Sequence, residues 1–245
     1  MNTKVFGVEL TDELRGIVRE PAALFFSIVM PVAFFALFVS LFGKFSAGGV
    51  SAGTTMLATF GTFGAISVVL MNPGIGVAAD RERGWLKSKQ VSAVPIGVTL
   101  AAKVVAALPY AAGVLIAMTV TAALTGSLNA PLPALLRLLV VLLVGSLPFA
   151  LLSLAIGFQV GAGAGAALLN ALLIPTSVVS GLWMPLDIMP AFFLDVARFL
   201  PNYHLSQLAR AQLTGGPVFT HVLVLVGFAI VAAVLAAVSY RHARS

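Results

Sequence analysis

Hydrophobic positions in this chain neither alternate nor recur as single stripes; they come in blocks free of Asp, Glu, Lys and Arg. Six such blocks occupy 22–42, 54–78, 104–124, 138–158, 164–184 and 218–238. A helix rises about 1.5 Å per residue, so about 20 apolar residues cross the roughly 30 Å hydrocarbon core of a bilayer. The pattern therefore predicts an all-α, polytopic membrane protein: six transmembrane helices in one domain over 1–245, with both termini on the same side. Pro31, Pro73, Pro109, Pro148 and Pro175 place one proline inside each of the first five blocks. Each removes a backbone hydrogen bond and favours a kink. Residues 159–163 must turn the chain between the fourth and fifth blocks.

The pattern changes character in two places. Ahead of the first block, Phe6, Leu10, Leu14, Ile17 and Val18 recur at helical spacing with Glu9, Asp12, Glu13 and Arg19 between them. This predicts an amphipathic helix within 1–21, stopped at Pro21, lying along the membrane surface or packed on the bundle. After the fifth block, 185–216 is too apolar for a solvated loop. Met189, Phe192, Phe193, Val196, Phe199 and Leu200 form a helical face between Pro190 and Pro201, and a second short helix over 204–213 ends at Gly215-Gly216. Both pieces are expected to dip back into the outer leaflet or to cap the bundle.

Charge fixes the orientation. Hydrophobic residues make up 60% of the chain and charged ones only 9%, yet 79–89 holds Asp80, Arg81, Glu82, Arg83, Lys87 and Lys89. Burying its four cations at about 2.5 to 3.5 kcal/mol each would cost about 10 kcal/mol, so this island belongs in water. Ten of the 14 Lys and Arg residues fall on the side of the termini and of the island. The positive-inside rule makes that side the cytoplasm of a cell (inner or plasma) membrane protein, with 79–103 as a cytoplasmic loop. The basic excess thus needs no nucleic-acid partner. A cleaved signal peptide is not expected, because the first block is too long and follows an acidic stretch.

Candidate chemistry is sparse. With no ionisable residue inside a block, the chain is not expected to draw on an ion gradient by itself. It needs an external energy source or moves solute passively. Asn72 and Asn170 are polar positions inside blocks, and Phe34 and Phe38 belong to a phenylalanine-rich first block; these four are candidates for a solute route. No catalytic residues and no metal site are expected: His204, His221 and His242 cannot converge from opposite sides of a bilayer. No Gly-Lys-Ser/Thr phosphate loop occurs, so no ATP site is expected in this chain.

Three segments together resemble the permease subunits of ABC type 2 exporters. Asp80-Arg81-Glu82-Arg83-Gly84, followed by Leu86 and Val94-Pro95, is similar to that family's loop between its second and third spans. Ser180-Gly181-Leu182-Trp183-Met184-Pro185, Met189-Pro190 and Leu200-Pro201-Asn202-Tyr203-His204 resemble its outer re-entrant region, and the amphipathic lead-in resembles its interfacial helix. Trp85 departs from the small residue or Thr that often follows the glycine. The resemblance implies two permease subunits, identical or related, among membrane lipid, and separate ABC ATPase subunits carrying ATP and Mg. It implies a coupling element in which Asp80, Arg81, Glu82 and Arg83 make polar contacts, Gly84 turns, and Trp85 and Leu86 anchor in the ATPase. It also implies an outer gate that includes Met184, Pro185, Met189, Pro190, Phe192, Phe193 and Pro201. Charge-free walls favour an apolar or amphipathic cargo moving outward. A membrane-embedded scaffold or immunity protein and, third, a passive channel remain the alternatives.

Overall fold

The computed structural model describes residues 3–19, 25–47, 50–84 and 95–244. A lead-in helix, α1 (Thr3–Val18), precedes a π-helical turn (Phe25–Val29) that runs directly into α2 (Met30–Phe42). A two-residue antiparallel hairpin, β1 (Ser46–Ala47) and β2 (Val50–Ser51), leads to α3 (Ala52–Glu82). Three long helices follow: α4 (Ile96–Leu124), α5 (Leu132–Gly157) and α6 (Ala162–Val179). A 3-10 turn (Leu186–Ile188), the short α7 (Ala191–Ala197) and α8 (Pro201–Thr214) separate these from the last helix, α9 (Phe219–Arg244).

Five of these helices, α3, α4, α5, α6 and α9, are long and apolar enough to cross a membrane. The first expected span is represented by the shorter α2 with its π-helical lead-in, and its beginning at 22–24 lies outside the described residues. Pro31 stands in the first turn of α2, where the π turn hands over to α geometry; Pro73, Pro109, Pro148 and Pro175 lie inside α3, α4, α5 and α6. The chain is organised around α3, which is buried along almost all of its length, whereas α9 is buried along almost none. Phe60, Phe63, Ile66 and Leu70 of α3 pack into one core with Val114 and Met118 of α4, Leu142 of α5 and Leu169 of α6.

Helix ends depart from the apolar blocks in ways the chain itself explains. The loop expected over 79–103 is helical at both ends, because no glycine or proline stands between residue 79 and Gly84 (φ +72°) and Pro95 already caps α4. Only 83–95 lies between the helices, and 85–94 is outside the described residues. Conversely, α6 ends at Val179, short of the expected 184. Gly181 there takes φ +71°, with Gly181 N–H bonded to Val178 O and Leu182 N–H to Ser177 O. This is the paired bonding of a glycine-terminated helix, sealed by the fully buried Leu182.

The segment after α6 is helical as expected, with different bounds. Within it, α8 begins at Pro201 rather than at 204 and packs Leu205, Leu208 and Ala209 against α3, α5 and α9, so this piece belongs to the bundle. On and just beyond α7, Phe192, Val196 and Phe199 stay exposed. At the other end of the bundle α1 buries no residue completely but lies against α4, where Tyr110 Oη donates to Leu14 O at 2.8 Å.

Candidate functional site

The last turn of α3 carries Asp80, Arg81 and Glu82, and each of the three reaches a different helix. Asp80 Oδ2 lies 2.7 Å from Lys103 Nζ of α4. The same ammonium lies 2.7 Å from Glu13 Oε1 of α1, so two carboxylates from two helices share one cation. Lys103 is only 5% exposed, a degree of burial that a lone ammonium would not tolerate. Burial raises the Glu13 pKa above its ordinary value; Lys103 opposes that shift and Asp80 adds to it.

Arg81 and Glu82 hold the turn between α5 and α6. Arg81 Nη1 donates to Phe158 O at 2.7 Å, at the carbonyl end of α5. Glu82 Oε1 accepts from the Ala162 N–H at 3.1 Å, at the amide end of α6. A cation at a helix C-terminus and a carboxylate at an N-terminus are the favourable pairings with the helix dipole. Gly161, the N-cap of α6, has no side chain to serve that end, and the Glu82 carboxylate supplies the missing acceptor from across the turn. A Cβ on Gly161 would collide with Glu82 Oε1. Gly157 has a packing role instead, its Cα facing the Gly74 carbonyl of α3.

The residues read from sequence as a coupling element are therefore partly internal fasteners. Asp80, Arg81 and Glu82 gather the ends of α4, α5, α6 and, through Lys103, α1 onto the end of α3. Arg83 is exposed at the C-cap and Gly84 turns in the left-handed region. Trp85 and Leu86 lie outside the described residues. Sequence reasoning missed Lys103 and Glu13 as a pair. The available signal was a lysine eight residues past Pro95, deep enough in a helix to require a counter-charge.

The chain as a whole is similar to known proteins. The family model for the ABC-2 type transporter matches residues 5–214. The chain belongs to the ABC-2 type transporter family. It is also similar to the Bacillus subtilis (strain 168) protein named "Putative transport permease YvfS", 22% identical over 217 residues that cover 88% of this chain and 89% of that one. As an ABC-2 family permease it is a multi-pass membrane transport protein. The family match, over 5–214, takes in most of α1.

The remaining positions singled out from sequence do not form one site. Met184 and Pro185 line a cavity between the start of α3, the turn after α6, and α8. Pro201 borders a separate, smaller and almost wholly apolar cavity with Leu70, Phe149 and Phe228. Met189, Pro190, Phe192 and Phe193 border neither; the rings of the last two lie tilted against each other with centroids 4.2 Å apart. Asn72 and Asn170 each donate to a carbonyl four residues back in their own helix, Val68 O and Ala166 O, as intrahelical polar groups commonly do. Phe34 stacks on Trp183 and Phe38 packs at a tilt against Phe60, so both belong to ring packing. His204 and His221 do come together, Nδ1 to Nδ1 at 2.9 Å, while His242 bonds its own helix at Val238 O.

Proposed function

We propose that this ABC-2 permease is the membrane-spanning subunit of an ATP-driven exporter. It acts with a second permease copy or relative and with separate ATPase subunits that bind ATP and Mg, and it moves an apolar or amphipathic compound out of the cell. The charged end of α3 faces the cytoplasm in this reading, and 83–95 meets the ATPase. The observation that carries it is the fastening of four other helices to one helix end. A push at residues 80–84 is delivered to α1, α4 and the α5–α6 turn together, which is what a coupling point must do to turn a nucleotide cycle into a change of bundle shape. The absence of any Asp, Glu, Lys or Arg from the six apolar blocks supports both an external energy source and a cargo with a large apolar part.

The experiment is ATP-dependent uptake by everted membrane vesicles containing this chain and its co-purified ATPase, assayed with a panel of lipophilic dyes and drugs. Accumulation that requires ATP and the ATPase is the expected result. Movement of an inorganic ion or a sugar polymer instead would overturn the cargo, and failure of any ATPase to co-purify would overturn the exporter.

A further inference from the structure

Between the first turns of α3, the turn after α6, and α8 lies a cavity of about 430 Å³, within the roughly 300–1,000 Å³ that small-molecule sites occupy. Its walls are of two kinds. One is a polar stripe on α8 at helical spacing, Tyr203, Ser206, Gln207 and Arg210, facing Thr55 and Thr59 of α3. The other is apolar, built from Phe45, Met56, Trp183, Met184 and Leu194. Arg210 is half-buried, and among the described residues no carboxylate pairs with it and no hydrogen bond is made by its side chain. Tyr203 Oη and the Gln207 amide are likewise without a partner among the described residues. Two further polar atoms on residues of the lining, Ser180 Oγ and Trp183 Nε1, are buried without a hydrogen-bond partner. Buried polar groups are nearly always satisfied; of the four buried unsatisfied side-chain atoms among the described residues, these two belong to the lining of this cavity, while Thr99 Oγ1 and Ser177 Oγ do not.

We infer that this cavity binds an acyl-chain amphipath with a single anionic head. The planar guanidinium of Arg210 presents a fork of donors that a carboxylate or phosphate oxygen pair fits, making charge-assisted hydrogen bonds. Gln207 and Tyr203, one helical turn or two along the same stripe, add donors to the same head. The apolar wall takes the chain, with the Trp183 ring, held between Phe34 and Phe63, as its floor. Asp187 also borders the cavity but is exposed, so water screens its charge and it does not cancel that of Arg210. As a statement about cargo this deepens the exporter reading and rests on it; as a statement about binding it stands on the cavity alone.

The chain offers its own reporter, since it has two tryptophans and Trp85→Phe leaves only Trp183. Full-length Trp85→Phe protein in a neutral detergent is titrated with brominated dodecanoate, brominated dodecanol and brominated dodecylamine. Saturable quenching is expected, with the carboxylate binding at least tenfold more tightly than the alcohol. Arg210→Gln should remove that preference and Arg210→Lys keep part of it, while Asp187→Asn leaves it intact. In nanodiscs, quenching by brominated phosphatidylglycerol beyond that by phosphatidylcholine would identify the amphipath as a membrane lipid; without that excess it is a free fatty-acid-like solute. Equal quenching by all three heads, or a preference that survives Arg210→Gln, overturns the inference. Loss of binding in Asp187→Asn overturns it too, by assigning a zwitterionic ligand. No ATPase enters the assay, so a failure here leaves the exporter reading standing, and a silent vesicle assay leaves this one standing.

Discussion

His204 and His221 meet through like atoms, the Nδ1 of one 2.9 Å from the Nδ1 of the other, although they belong to α8 and to the first turn of α9. The other nitrogen of His204, Nε2, lies 2.8 Å from the carbonyl oxygen of Arg198. A carbonyl only accepts, so His204 Nε2 carries a proton. In the neutral ring its Nδ1 is then an acceptor, and His221 Nδ1 must donate.

The first prediction is therefore a tautomer assignment. In a His242→Gln variant only these two histidines remain, and ¹⁵N NMR at neutral pH should find His204 protonated at Nε2 and His221 at Nδ1. One added proton goes to His221 Nε2 and leaves the Nδ1–H···Nδ1 bond in place. A second makes both Nδ1 atoms donors and must separate the rings, with loss of their mutual coupling in acid. Two Nε2–H rings at neutral pH would sink the assignment.

At the other end of the bundle, Lys103 is the hub. Lys103→Met removes the one cation between Glu13 and Asp80 and leaves two carboxylates facing each other. Breaking a buried ion pair in this way typically costs about 3 to 5 kcal/mol. The thermal midpoint in detergent should drop accordingly. Asp80→Asn should cost less, because Glu13 still neutralises the ammonium, and the triple variant Lys103→Met, Glu13→Gln, Asp80→Asn should recover much of the loss. Equal stability of Lys103→Met and wild type would show that the cluster is not buried in the working protein.

Burial raises the Glu13 pKa, which gives stability a definite pH dependence. The folded state then holds the Glu13 proton more tightly than the unfolded chain does. Its contribution is complete below the unfolded carboxylate value of about 4.5 and is lost as pH rises through the raised folded value. Protonated Glu13 leaves Lys103 a one-to-one pair with Asp80, so the cluster remains neutral. Thermal midpoints should fall as pH is raised through that window and do so less steeply in Glu13→Gln. A Glu13→Gln profile parallel to wild type would refute the assignment.

The apolar blocks revealed the long helices because spanning length without charge needs no partner to be recognised. What they hid depends on residues far apart in the chain. Lys103 reads as the edge of a loop until Glu13, 90 positions earlier, and Asp80 are seen beside it. Glu82 reads as a solvated charge until it is seen capping a helix 80 positions later whose own N-cap is glycine. The early end of α6 was written in Gly181, but a glycine followed by Leu-Trp-Met in an apolar run is indistinguishable by composition from a spanning segment. The cavity lining was legible only in part. The spacing of Tyr203, Ser206, Gln207 and Arg210 is helical in the sequence, whereas the burial of the opposite face of α8 against three helices is a tertiary fact.

Orientation follows from the basic-residue bias and is open to a direct test, since the chain has no cysteine. Arg83 and Thr214 are both exposed, at opposite ends of the proposed topology. In intact cells an impermeant thiol reagent should label Thr214→Cys and spare Arg83→Cys, which should become reactive only in everted vesicles. The reverse pattern would invert the topology and with it the direction of transport.

The sharpest test of the coupling reading separates fastening from docking. If Glu82 mattered only as a contact for the ATPase, Glu82→Ala would abolish ATPase association and Gly161→Ala would not. The structure gives Gly161 a different role: its missing side chain is the space the Glu82 carboxylate occupies. A methyl group there must push the carboxylate off the Ala162 N–H and release the α5–α6 turn from α3. Gly161→Ala should therefore reproduce the transport defect of Glu82→Ala, at a stability cost of about 0.5 to 2 kcal/mol for a lost helix N-cap. The double variant should be little worse than either single one, because both remove the same bond. ATPase co-purification should persist in Gly161→Ala while ATP-dependent transport falls, since 83–95 is untouched. Wild-type transport by Gly161→Ala would confine Glu82 to the docking surface and remove the turn from the coupling path.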